Sequence, residues 1–206
     1  MRGHSDGVRS AAFSSDGRRL ATAAGDDEHV VLWDLTTSGH PAKRATWRAH
    51  SHHTLAVAFS PTGVLATSGT GEHPVKLWQV TGAGQPKELA ALDGQTDAVG
   101  DVTFSADGST LAAGSDDRTT RQWDVSVPAQ PRLKSVLTGY TTAVGKLRYA
   151  RDGKFLVSGV FDGSVRVATT DSARTIGSAC DFAGRTVTRE EWGRYLSSVP
   201  YEPPCA

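Results

Sequence analysis

The side chains with the strongest chemical character in this chain are a histidine run, two acidic pairs, a glycine-lysine loop and two cysteines. His50, Ser51, His52 and His53 stand together, and neutral imidazoles at short spacing are common metal ligands. Asp26-Asp27 and Asp116-Asp117 are adjacent carboxylates of the kind that can divide general acid and base roles. Gly82-Ala83-Gly84-Gln85-Pro86-Lys87 has the composition of a phosphate-cradling loop. Cys205 is a conceivable nucleophile, but every histidine lies before residue 74, so none is near in sequence to activate it.

None of these groups is completed by what surrounds it. The glycine loop runs through a proline into an apolar strand, so no helix N-terminus is available to hold an anion. The acidic pairs fall in turns, where carboxylates satisfy backbone donors. His52 and His53 lie on a loop, where imidazoles are ordinarily solvated. No nucleophile elbow, HExxH or phosphate-binding motif is present. The expectation is a protein with no catalytic residue, no metal and no cofactor.

The elements that carry these loops repeat. Trp33, Trp78 and Trp123 are 45 residues apart, and the fourth mark falls on Ala168. Gly17, Gly63, Gly108 and Gly153 keep nearly the same period, as do His4, His50, Gln95 and Tyr140. Each period reads as three strands and a fourth leading into the next unit. In the first, strand a is Val8 to Ser14, strand b Leu20 to Ala24 and strand c Val30 to Asp34. Strand d follows at Lys43 to Arg48, and again at Lys87 to Leu92 and Arg132 to Leu137. Short apolar runs on either side of Asp-Gly turns signal antiparallel hairpins. A unit this small cannot bury its own apolar faces, so the units must stack.

Composition narrows the partners. Lys and Arg total 22 and Asp and Glu total 22, which leaves no net field to hold a polyanion, so nucleic acid is not expected. No stretch approaches the roughly 20 apolar residues that span a bilayer, so no membrane association is expected. The start, MRGHSDGV, lacks the apolar segment of a secretory signal, and the expected compartment is the cytoplasm. There is no Asn, a single Ile (Ile176), and 16 Arg against 6 Lys. Those shortages fall on AT-rich codons and point to a high-GC bacterial genome.

The endings VLWDL, VKLWQV and TRQWDV, the Gly3-His4 and Ala49-His50 openings and the FSxDG-type hairpins resemble the WD-repeat family of β-propellers. The resemblance covers residues 1–170 and implies an all-β fold of four blades, approximately 1–48, 49–92, 93–137 and 138–170. It also implies that a His, a Ser or Thr on strand b, the Trp of strand c and an Asp of the b–c turn lock each blade. Carried onto this sequence, the first blade supplies His4, Thr22, Trp33 and Asp26 or Asp27. The second supplies His50, Thr67 and Trp78, with Glu72 where Asp is expected. The third keeps Trp123 and Asp117 but has Gln95 and Ala113 for the His and the hydroxyl, a paired change expected to be tolerable. The fourth keeps Ser158 and Asp162, with Tyr140 for His and Ala168 for Trp. The ring of Tyr140 is expected to fill part of the missing Trp's space.

Propellers of this kind usually carry about seven blades, so four leave an incomplete ring. Three arrangements answer to this: the C-terminal part of a longer propeller, two chains pairing as a homodimer to complete a ring, or a closed four-bladed ring. The resemblance further implies a protein partner docked on the face of the d–a and b–c loops, which offers Asp6, His29, His52, His53, His73, Thr96, Arg118 and Phe161.

Residues 171–206 fall outside the period and read as a short α-helical, Pro-rich tail. Thr188 to Glu191 forms a capping box. Cys180 and Cys205 bracket this tail, and a disulfide between them would staple it, although a cytoplasmic address disfavours one. TREEWGRYL and VPYEPPC resemble the C-terminal ends of actinobacterial WD-repeat proteins headed by STAND-type signalling ATPases. That likeness implies a sensor role in a signalling protein. The competing readings are a metal-binding or enzymatic propeller and an inert truncated remnant.

Overall fold

The computed structural model describes residues 2–25, 28–36, 40–80 and 84–170, and every regular element within them is a β-strand. The expected helical tail, Asp26, Asp27, Cys180 and Cys205 lie outside the described residues. The first sheet has the order β1 (Val8–Phe13), β2 (Arg19–Ala24), β3 (His29–Asp34), β4 (Ala42–Arg48). The second follows as β5 (Thr54–Phe59), β6 (Val64–Gly69), β7 (Val75–Gln79), β8 (Lys87–Leu92). The third is β9 (Val99–Phe104), β10 (Thr110–Ser115), β11 (Thr120–Asp124), β12 (Arg132–Leu137). A three-stranded sheet closes the series: β13 (Val144–Tyr149), β14 (Phe155–Val160), β15 (Val165–Thr169).

The strands are antiparallel meanders because the turn residues leave no other course. At the β1–β2 hairpin the Ser14 hydroxyl donates to Asp16 Oδ1 at 2.6 Å, and the Gly17 N–H donates to the Ser14 carbonyl at 2.9 Å. Gly17 itself has φ 68°, a conformation that costs glycine little. Ser105, Asp107 and Gly108 reproduce this turn between β9 and β10. There the Ser105 hydroxyl, followed by Ser109, holds the Asp107 carboxyl down at about 2.

Every first strand carries a register shift, at Arg9, Leu55, Gly100 and Gly145. Bulges strengthen local twist and re-aim side chains. The first strands lie side by side, β1 on β5, β5 on β9 and β9 on β13, so the sheets radiate from them as blades.

The core lies between blades. Each blade has a front, bearing Leu20, Thr22 and Trp33 in the first, and a back, bearing Ala21, Ala23, Val30 and Leu32. The first back packs against Val57, Leu65 and Trp78 on the second front. The second back, with Val75 and Leu77, packs against Val102, Leu111 and Trp123 on the third front. Ala112 of the third back meets Leu147, Leu156 and Tyr140 on the fourth front.

Candidate functional site

The period places one polar group at the heart of each front, and the second blade shows how it is satisfied. Thr67 Oγ1 is fully buried and lies 2.9 Å from both Trp78 Nε1 and His50 Nε2. His50 Nδ1 lies 3.2 Å from the carbonyl of His73. A carbonyl only accepts, so Nδ1 carries the proton and Nε2 is the acceptor. The chain therefore runs Trp78 N–H to Thr67, Thr67 O–H to His50, and His50 N–H to the backbone. Burial first, then the charge of Lys76, pushes the His50 pKa down to about 4, which keeps the ring neutral. Glu72, at the place expected for an Asp, is exposed, and the His73 carbonyl serves instead.

The first blade repeats this geometry, with Thr22 Oγ1 2.8 Å from His4 Nε2 and 2.9 Å from Trp33 Nε1. In the third blade Trp123 is buried, but Gln95 is buried with neither its Nε2 nor its Oε1 paired among the described residues. The expectation that the Gln95 and Ala113 changes cancel is therefore corrected: glutamine kept a polar group while alanine removed its partner. Asp117 makes no bond to the Gln95 side chain; it closes its own turn by accepting from Thr119 N at 2.8 Å and ties that turn to the preceding loop by accepting from Thr96 N at 3.0 Å.

The fourth blade substitutes different chemistry. Tyr140 is buried, its hydroxyl lies 3.0 Å from Ser158 Oγ, and Thr120 of the preceding blade donates to it at 3.3 Å. The guanidinium of Arg166, two residues before Ala168, lies 4.8 Å from the centre of the Tyr140 ring. Asp162 accepts from the Thr141 hydroxyl and from Ser164 N. The Ser164 hydroxyl first, then that of Thr141, holds its carboxyl at about 2.

A second network was not foreseen from the sequence. Asp101 is 4 % exposed, and its carboxylate accepts from Leu147 N at 2.9 Å and Arg148 Nη1 at 3.1 Å, which ties the third blade to the fourth. Ser10 holds the same strand position and accepts from Val57 N at 3.2 Å, which ties the first to the second. The available signal was a polar side chain in an apolar strand at a fixed register.

The loops that join blade to blade and β2-type to β3-type strands share one end of the array, because antiparallel strands return there. Asp6, His52, His53, His73, Thr96, Arg118 and Phe161 are exposed on these loops, and His29 is half-buried. His73 Nδ1 pairs with Asp93 at 2.5 Å. Phe161 is 74 % exposed, with its ring edge against Gly145. Arg118 has φ 65° where Gly163 has φ 85° in the next blade. For a residue with a Cβ that conformation costs about 1–2 kcal/mol.

The other chemically suggestive residues do not converge. Beside Asp117, the Asp116 carboxyl is raised by partial burial first, then by Asp97 and Asp117. Among the described residues no group of three or more His, Cys, Asp or Glu is arranged to hold a metal, and no helix is long and apolar enough to cross a membrane.

The family model for the WD domain, G-beta repeat, matches residues 1–34, 86–124 and 131–167. Together these make up more than half of the chain. No curated protein matches the chain.

Proposed function

The chain belongs to the WD-repeat family, whose repeats are generally protein-interaction modules, and on that footing we propose a non-catalytic scaffold that binds a protein partner through its d–a and b–c loop face. The observation that carries this reading is Arg118. It is exposed, and it holds a strained backbone conformation at a position where the neighbouring blade uses glycine. Such strain clusters at functional sites, and Glu28 holds the same turn position in the first blade with φ 60°, so two blades of this face carry a charged side chain on a left-handed turn. Around it the face is pre-organised: Asp117 ties its turn to Thr96, and Asp162 ties the next turn to Thr141. A rigid surface loses less entropy on binding. Phe161 adds an exposed aromatic of the type enriched in interface anchors.

The tail's likeness to the ends of bacterial signalling ATPases supports the finer reading of a sensor module in a signalling protein. On that reading it works in the cytoplasm, where such an effector meets ATP.

The test is affinity capture from the source organism with the whole chain. It compares the wild type with Arg118→Ala and Phe161→Ser, and with Arg18→Glu in the opposite-end hairpin as control. The expected outcome is a partner whose retention falls about tenfold or more with each loop variant and is unchanged by R18E. Equal retention by all four proteins would refute the face.

A further inference from the structure

The first strands share a register in which two positions, two residues apart on one face of the strand, are small in the first two blades and cationic in the fourth. Ser10 and Ala12 of β1 match Ala56 and Ala58 of β5, Asp101 and Thr103 of β9, and Lys146 and Arg148 of β13. All four first strands line one cavity of about 380 Å³. Its lining residues include three cations, Arg9, Lys146 and Arg148, and one carboxylate, Asp101.

Asp101 answers only part of that charge. Its Oδ2 accepts from Arg148 Nη1 and from the Leu147 N–H, while its Oδ1 lies 3.8 Å from Lys146 Nζ, beyond hydrogen-bonding distance. The side chains of Lys146 and Arg148 stay 66 % and 69 % exposed, which leaves their other donors open. Arg9 sits on the bulge of β1 with its stem laid over Gly25, where a Cβ would come within 2.2 Å of its Nε. Glycine at that position makes room for the arginine, which has no hydrogen-bond or ion-pair partner among the described residues. Three cations against one carboxylate leave an excess of two positive charges in this cavity, in a chain whose Lys and Arg number the same as its Asp and Glu. Like charges at close quarters repel, and a bound anion relieves that repulsion.

From this imbalance we propose that the cavity binds a phosphate dianion, free or carried on a small molecule. A dianion matches the two excess charges. Its tetrahedral oxygens can meet donors from β1 and β13 together, whereas a planar carboxylate is satisfied by one guanidinium. The hydroxyls of Ser10 and Thr103 also line the cavity and add neutral donors.

The test is calorimetric titration of the purified whole chain at low ionic strength, with inorganic phosphate, glycerol phosphate and succinate as probes. Inorganic phosphate is expected to bind with millimolar affinity or tighter, and succinate about tenfold more weakly or worse. Glycerol phosphate separates the two sources: equal affinity marks the free ion as the ligand, and tighter binding marks a carried phosphate. Arg9→Gln and Lys146→Gln are each expected to weaken phosphate binding by about tenfold, the loss of one charge-assisted contact. Asp101→Asn keeps an acceptor for the Leu147 N–H and removes the competing charge, so it is expected to tighten binding severalfold, a gain that a purely structural Asp101 would not produce. Circular dichroism checks that each variant is folded. Arg118→Ala on the loop face leaves phosphate binding unchanged, which separates this test from that of the partner face. A wild type that binds no phosphate, succinate bound as tightly as phosphate, or folded R9Q and K146Q that bind like the wild type would each overturn the proposal.

Discussion

Replacing Thr67 by valine keeps the shape of the side chain and removes the one atom on which the second blade's lock converges. Trp78 Nε1 loses its acceptor at 2.9 Å and His50 Nε2 loses its donor at 2.9 Å. Thr67 is 0 % exposed, His50 3 % and Trp78 6 %, so water cannot take over. Each orphaned buried group costs about 1–3 kcal/mol. The extra methyl returns up to about 0.8 kcal/mol, which leaves a net loss of about 1–5 kcal/mol. Thr67→Ser keeps the hydroxyl and is expected to lose about 1 kcal/mol. Thr22→Val is the internal comparison: His4 is only half-buried, so solvent can rescue part of the loss, and about 1–2 kcal/mol is expected. The assay is urea unfolding followed by tryptophan fluorescence and circular dichroism, with midpoints converted at an unchanged m value. A T67V loss below about 1 kcal/mol, or a T22V loss exceeding that of T67V, would refute the convergence of two buried groups on one hydroxyl.

Acid is expected to act first through His50. Its folded pKa is about 4 against an ordinary 6.5, so the unfolded chain takes up a proton that the folded chain refuses. The stabilisation is complete above 6.5 and is lost as pH falls toward 4, by about 3 kcal/mol. Urea midpoints across that window check it, and His50→Gln should flatten the slope. Asp107 and Asp162, both lowered to about 2 from 3.8, add their losses only below 3.8. Asp101→Ala strands Leu147 N–H between blades and should cost about 2–3 kcal/mol in the same unfolding assay. Asp101→Ser, which copies Ser10, should recover more than half of that. Ala113→Ser offers Gln95 a partner and should raise stability by about 1 kcal/mol; no gain would mean that the hydroxyl does not reach the amide.

The strands were legible because turns punctuate them and each apolar run is short. Lys87–Leu92 and Arg132–Leu137 were read with the bounds they have, and Val8–Phe13, Arg19–Ala24 and His29–Asp34 to within one residue. The locks of the first two blades were legible as a recurring His, Thr and Trp on one period. Asp117 was legible as the turn aspartate of the third blade, but that it meets the backbone of Thr96 and not the side chain of Gln95 shows only in the distances. Gln95 was misread because cancellation requires both polar groups to leave, and only the structure shows that the remaining amide is buried with no partner among the described residues. Asp101 was missed because its partner is a backbone N–H 46 residues away, which no side-chain motif records.

What the sequence determined by itself is local and periodic: where strands start and stop, which residues share a face, and that units of this size must stack. These follow from turn stereochemistry and the two-residue alternation of a strand, which act over a few residues. What only the tertiary structure decided is how unlike faces meet: the tie from Asp101 to Leu147, the tyrosine front against the polar back, and the exposure of Val165, Val167, Val8 and Phe13. Burial belongs to a pair of surfaces and not to a residue. The same aliphatic pattern is core in one blade and open surface in another, according to whether a neighbouring blade lies against it.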